Sequence, residues 1–297
     1  MRHRMLGDVR VGAVGLGTMP LSIEGRPDEA RAFATVHAAL DAGVTLLDTA
    51  DSYHPPGGDP GEGEVLVARA LAAYGGNTDD VLVATKGGRG RTDDGGWTVD
   101  GRPGHLRRAA QASARRLGGG AIGLYQLHKP DPAVPYAESL GAIRELLDAG
   151  TVRLAGISNV DTGQILLARE ILGDRLVSVQ NRYSPAVRDS EPELRLCAEL
   201  GLAFLPWSPL GGISRSSLDG ASAQGEDPAF GAFHRVARAR GVSPQRVALA
   251  WHLSRSATVL PIPGAGRPES ARDSAGAAAL VLSAEELSAL EDSLPVG

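Results

Sequence analysis

Val152-Arg-Leu-Ala-Gly-Ile-Ser-Asn159, then Asp161-Thr-Gly-Gln-Ile-Leu-Leu-Ala-Arg-Glu-Ile-Leu172, then Leu176-Val-Ser-Val-Gln180 is the stretch on which the fold turns. A short apolar run rich in Val, Leu and Ile ends at polar Ser158 and Asn159. An amphipathic segment follows with apolar residues at helical spacing. Asp161 stands at its start, where a short acidic side chain caps a helix. A second apolar run then opens the next unit. This is one strand-then-helix module, the element of a parallel sheet.

Working outward, the module repeats. Candidate strands fall at residues 11–16, 45–48, 81–85, 122–127, 152–157, 176–180, 203–207 and 258–262. Helical segments fall between and after them at residues 28–42, 62–74, 104–117, 136–149, 161–172, 191–200, 243–253 and 267–278. Gly43, Gly150 and Gly201 sit just past helices, where a left-handed C-cap suits glycine. Ser243 is a second N-cap, with Pro244 at the first helical position. Eight such units predict a closed (β/α)8 barrel, with an open doubly wound sheet as the alternative. Residues 1–297 read as a single α/β barrel domain, since no Pro/Gly/Ser-rich linker divides them. The longest loops after strands are 211–227 and 87–103, which a barrel would place over its C-terminal face.

Composition narrows the class. The chain has 297 residues, a net charge of -5, 42% hydrophobic and 22% charged residues, an ordinary globular balance. A lone Cys197 excludes an internal disulfide framework. No Cys/His cluster has zinc spacing, and no metal is expected. The N-terminal residues lack an apolar segment of the secretory kind, and no apolar run reaches the roughly 18 residues of a membrane span. Mild acidity argues against a nucleic-acid partner. The expectation is a cytoplasmic protein acting on a small molecule. The 39 glycines are in excess of ordinary usage. They fit many turns, phosphate-binding loops or compositional bias.

In a barrel, chemistry collects where strands end. Those ends carry Asp48 with Tyr53 just beyond, Lys86, His128, Ser158 and Asn159, Gln180, and Trp207 with Ser208. A tyrosine is a weak acid near pH 7, and a neighbouring ammonium is expected to lower its pKa. A carboxylate beside the lysine holds it charged and oriented. A histidine can donate to a carbonyl oxygen or assist proton transfer. The set suits proton delivery to a carbonyl that receives hydride. It contains no nucleophile–base pair for acyl transfer.

The motifs resemble the aldo-keto reductase superfamily over essentially the whole chain. The matching stretches are Gly15-Leu-Gly-Thr18, Leu46-Leu-Asp-Thr-Ala-Asp-Ser-Tyr53, Val83-Ala-Thr-Lys86, Tyr125-Gln-Leu-His128, Gly156-Ile-Ser-Asn159, Val179-Gln-Asn-Arg-Tyr-Ser184, Trp207-Ser-Pro-Leu-Gly211 and Pro261-Ile-Pro-Gly264. The resemblance implies a TIM barrel with a short N-terminal hairpin and extra helices. It implies a catalytic tetrad of Asp48, Tyr53, Lys86 and His128, with Tyr53 as proton donor. It implies reduction of an aldehyde or ketone by NADPH, reversible as alcohol oxidation, with NADH as the alternative cofactor.

The resemblance also assigns cofactor contacts. Ser158, Asn159 and Gln180 would hold the carboxamide, and Trp207 would stack on the nicotinamide where relatives often carry Tyr. Ser208, Leu210 and Gly212 would line the pyrophosphate. Gly17, Thr18 and Met19 would lie beneath the cofactor near the reaction centre. Ile262, Gly264, Arg267 and Arg272 would take the adenosine end, Arg267 meeting a 2′-phosphate at a helix start. The sequence departs from the family at Ser270, where Arg is common, and at Ser274, where Asn is common.

The stretch from Val11 to Pro20 imitates a dinucleotide fingerprint but lacks its spacing. Counted from Gly15 the third glycine falls at Pro20, and counted from Gly12 the second falls at Val14. Substrate contacts are expected from Met19, His54 and Trp97, with Ser22, Tyr53 and Trp207 nearby. The segment after Leu280 is short, which leaves closure of the pocket to the two long loops. Two other readings stay open. One is a nicotinamide-binding redox sensor with little turnover, as in the potassium-channel beta subunits of the superfamily. The other is a metal-dependent barrel hydrolase, disfavoured because no His-x-His follows the first strand.

Overall fold

The computed structural model describes residues 1–211 and 230–294. The chain opens with an antiparallel hairpin, β1 (His3–Leu6) and β2 (Val9–Gly12). The barrel strands β3 (Leu16–Gly17), β4 (Leu46–Asp48) and β5 (Leu82–Gly87) follow. A second hairpin, β6 (Arg89–Arg91) and β7 (Trp97–Val99), rises from the loop after β5. The remaining strands are β8 (Ile122–Leu127), β9 (Val152–Ser158), β10 (Leu176–Gln180) and β11 (Ala203–Phe204). Seven parallel strands pair in the order β11-β10-β9-β8-β5-β4-β3, and helices lie on the outside of this curled sheet. The outcome is the (β/α)8 barrel that the alternation predicts, with the N-terminal hairpin that the resemblance implies.

The eighth strand is where the sequence places it, but its ladder is thin. Segment 258–264 bridges the two sheet edges at Val259 and Gly264. Toward β11, the Phe204 amide donates to Thr258 O at 3.0 Å and the Leu260 amide donates to Phe204 O at 2.9 Å. Toward β3, the amides of Gly15 and Gly17 donate to Pro261 O and Pro263 O at 3.0 and 2.9 Å. Pro261 and Pro263 have no N–H to return. The seam with β3 therefore accepts hydrogen bonds and donates none through these prolines.

The expected first strand at 11–16 divides in two. Val11 and Gly12 end the hairpin, while Leu16 and Gly17 alone pair with β4. Between them the Ala13 amide turns to Arg2 O. The expected strand at 203–207 shortens to two residues in regular pairing, because Pro206 lacks a donor. Its direction persists nonetheless: the amides of Leu205 and Trp207 donate to Val179 O and Asn181 O at 2.8 and 3.0 Å.

Helices follow each barrel unit at Glu29–Asp41, Glu62–Ala72, Pro103–Arg116, Tyr136–Asp148, Thr162–Leu172, Glu191–Leu200, Pro244–Arg255 and Pro268–Gly276. The cap residues act as the sequence suggests. Asp161 forms a reciprocal capping box with Gln164, and the Ser243 side chain accepts from the Arg246 amide. Gly201 ends its helix at φ +67°. Helices Gly231–Arg240 and Ala284–Glu291 add to the expected set. None of the helices among the described residues is long and apolar enough to cross a membrane.

Leu6 and Val11 of the first hairpin plug the lower end of the barrel. They join Leu46, Leu82, Leu124, Val177, Leu260 and Ile262 in one interior cluster. Above this apolar layer the inward positions turn polar, and the site begins there.

Candidate active site

Strand register brings the polar residues together. Asp48 ends β4, Lys86 lies in β5 opposite Gln126 of β8, and Gln180 ends β10. All four are buried. Lys86 Nζ donates to Asp48 Oδ1 at 2.5 Å, to Thr49 O at 2.8 Å and to the Tyr53 hydroxyl at 3.2 Å. Gln126 Nε2 and Gln180 Nε2 donate to the other Asp48 oxygen at 3.1 and 2.9 Å. Both carboxylate oxygens and the ammonium thus have partners, the condition under which a buried ion pair is tolerable. Gly156 makes room for this. A Cβ there would lie 2.8 Å from Gln126 Cγ and closer still to Ser178 Oγ.

Tyr53 follows β4 on a turn, buried against Ile23 and Ala50. Its ring meets His128 edge to face at 5.9 Å. The backbone carbonyl of His128 accepts from Asn159 Nδ2 at 2.9 Å, and Asn159 Oδ1 accepts from Trp207 Nε1 at 3.2 Å. Ser158 Oγ donates to Gln180 O at 2.6 Å. Asn159 and Ser208 hold left-handed backbones, φ +58° and +47°, unusual outside glycine. Strain of this kind gathers at functional sites.

Burial sets the electrostatics. It would lower the Lys86 pKa, but the facing Asp48 charge and Tyr53 outweigh it and the ammonium titrates above its ordinary value. Burial raises the Tyr53 phenol, and the Lys86 charge only partly offsets this, so the phenol stays above its ordinary value. From sequence, the lysine is expected to lower it. The structure reverses that balance, because the hydroxyl is enclosed and Asp48 stands behind the lysine. Burial, then the charges of Lys86 and Arg89, push His128 well below its ordinary range, leaving a neutral imidazole.

A cavity of about 940 Å³ runs from Asp48, Tyr53 and His128 to Arg267 and Ser270 at the start of helix Pro268–Gly276. Gly17, Met19, Ser158, Asn159, Gln180, Trp207, Ser208, Leu210, Ile262, Gly264 and Arg267 all line it. Thr18 does not. It is buried, its hydroxyl donating to Asp48 O at 3.0 Å. Arg272 is exposed and away from the cavity, since the helix turns it outward. Met19 and Trp97 line the cavity, whereas His54 is buried with Nδ1 2.9 Å from Pro55 O. Gly212 and most of the 211–227 loop lie outside the described residues.

Several residues escape the sequence reading. Gln126 stands two positions before His128, so strand alternation could have pointed to it. Arg31 and Arg89 line the cavity from a helix and from the second hairpin. Arg89 sits in a Gly-Arg-Gly-Arg run without visible periodicity. Among the described residues, no three His, Cys, Asp or Glu side chains are grouped to hold a metal.

The geometry has counterparts. A family model described as Aldo/keto reductase family matches residues 13–294. A 6-dehydroglucose reductase of Novosphingobium aromaticivorans is 35% identical over 282 residues, 93% of this chain and 90% of that protein. The structure of a thermostable aldo-keto reductase in complex with the inhibitor epalrestat superposes with a TM-score of 0.81 at 26% identity, covering 99% of this chain and 100% of the other. An aldo/keto reductase from Klebsiella pneumoniae in complex with NADP and acetate gives a TM-score of 0.77 at 27% identity, covering 99% and 95%. With the barrel, the buried Asp48–Lys86 pair and the family match in agreement, the chain belongs to the aldo/keto reductase family of oxidoreductases.

Proposed function

We propose that the protein reduces an aldehyde or ketone to the alcohol with NADPH, using Tyr53 as proton donor. The observation that carries this reading is the Tyr53 hydroxyl beside the enclosed Lys86–Asp48 pair at one end of the long cavity. The residues present fit a dinucleotide. Trp207 offers a flat face, and Asn159 and Gln180 line the same cavity as Tyr53. At the far end, Arg267 precedes a helix whose N-terminus lacks a side-chain cap, a setting suited to phosphate. The NADP-bound relative from Klebsiella pneumoniae supports the same choice.

The nicotinamide, when bound, supplies the hydride to the carbonyl carbon. Tyr53 gives its proton to the carbonyl oxygen. The Lys86 ammonium stabilises the phenolate left behind, and Asp48 keeps that ammonium charged and aimed. Neutral His128 supplies a second hydrogen-bonding group at the same mouth of the cavity. The phenol's raised pKa keeps it protonated at neutral pH, as an acid must be.

NADPH oxidation by purified protein against a panel of aldehydes and ketones tests the proposal. Carbonyl-dependent oxidation is expected. Tight cofactor binding without turnover on any of them would instead support a redox sensor.

A further inference from the structure

We propose that Arg89 is a receptor for an oxyanion, carboxylate or phosphate, carried by the carbonyl substrate; this rests on the reductase reading. Arg89 lies on β6, lines the cavity with Tyr53 and His128, and has no ion-pair partner among the described residues. Its guanidinium packs over the Trp97 ring, 4.4 Å from the centroid. Arg91 packs on the same ring at 4.6 Å. The two differ in how their charge is met. Both terminal nitrogens of Arg91 donate to the Glu24 carboxylate, which also lines the cavity, and to the His54 and Gly95 carbonyls. Glu24 is thereby committed, and hydrogen bonding from Arg91 draws its pKa down to about 2.

Arg89 is left as a cation held in place by an aromatic face and open toward the substrate end of the cavity. A fixed guanidinium fork matches the paired oxygens of a carboxylate or phosphate. Its charge bears on both Tyr53 and His128, which places it within reach of a substrate whose carbonyl those residues engage. Trp97 would then act through Arg89, by fixing its plane, rather than as an apolar cover.

The test uses the enzyme with NADPH and matched pairs: 4-oxobutanoate against butanal, and glyceraldehyde 3-phosphate against glyceraldehyde. The charged member is expected to have the higher kcat/KM, by about tenfold to a hundredfold, in one pair at least. The favoured pair identifies the anion. Arg89→Gln should collapse that ratio toward one, and Arg89→Lys should restore part of it. A ratio that survives in Arg89→Gln, or no charged preference in either pair, overturns the proposal. Calorimetry of benzoate and benzamide with the NADP⁺ complex separates the two readings. Benzoate binding lost in Arg89→Gln upholds the anion receptor even if no carbonyl turns over, a result that would defeat the reductase reading alone. Equal binding of benzoate and benzamide overturns the receptor.

Discussion

The Lys86 ammonium stands 3.2 Å from the Tyr53 hydroxyl and 4.9 Å from the centroid of its ring. The charge addresses both the oxygen and the π face of one side chain. An ammonium so placed favours the phenolate, yet enclosure disfavours it more, and the phenol remains an acid. In the proposed reaction the pair holds the proton until transfer and then receives the negative charge.

Removing the hydroxyl should therefore stop reduction without disturbing the cavity. Tyr53→Phe is expected to lower kcat by about a hundredfold to ten-thousandfold, the range of a general acid. NADPH affinity, followed by fluorescence titration, should change little. Near-normal turnover in the variant would sink the assignment.

Asp48 and Lys86 should be coupled in stability as well as in position. Lys86→Met leaves a buried carboxylate facing no cation, at a cost of about 3–5 kcal/mol. The double variant Asp48→Asn with Lys86→Met should be less destabilised than the two single changes together. Urea unfolding of all four proteins measures the difference, and strict additivity would show the pair to be energetically uncoupled.

Much of this site was legible because strand ends are regular. Asp48, Lys86, Ser158 and Gln180 each terminate an apolar run, and the register then carries them to one level. The caps at Asp161 and Ser243 read equally well, since each is a local hydrogen bond. What stayed hidden depends on contacts distant in sequence. Residues 11–16 divide between a hairpin, past which the Ala13 amide turns to Arg2 O, and a seam in which Gly15 donates to Pro261 O, nearly the whole chain away. Arg89 gains its place only when β6 and β7 pair and set Trp97 beneath it. The direction of the Tyr53 shift depends on how deeply the hydroxyl is enclosed, which spacing does not reveal.

Arg267 should matter for the adenosine end of the cofactor. Its Nε donates to Ser270 Oγ at 2.9 Å, which holds it at the helix start. Arg267→Ala is expected to weaken NADPH about tenfold or more, and NADH much less. Dissociation constants for the two cofactors decide this, and equal losses would remove Arg267 from the 2′-phosphate role.

Stability should fall on the acid side through His252. It is fully buried, and its Nε2 donates to Pro209 O at 2.9 Å. Burial pushes its pKa down to about 4. Below the unfolded value near 6.5, the unfolded chain takes a proton that the folded chain refuses. The contribution is complete above that value and declines as pH drops toward 4, by about 3 kcal/mol at most. His128 acts with the same sign. Urea midpoints between pH 4 and 7 should decline less steeply for His252→Asn than for the native chain.

On the proposed function, the seam at Pro261 and Pro263 would tie cofactor occupancy to the integrity of the barrel. Gly17 belongs to one edge and Ile262 and Gly264 to the other, and all three line the same cavity. A molecule lying there spans the joint and acts as a clasp across it. The Gly15 and Gly17 amides should exchange with solvent deuterium more slowly once NADP⁺ is added, with strands far from the joint affected less. On that reading, the barrel is most easily unlatched when the cofactor leaves.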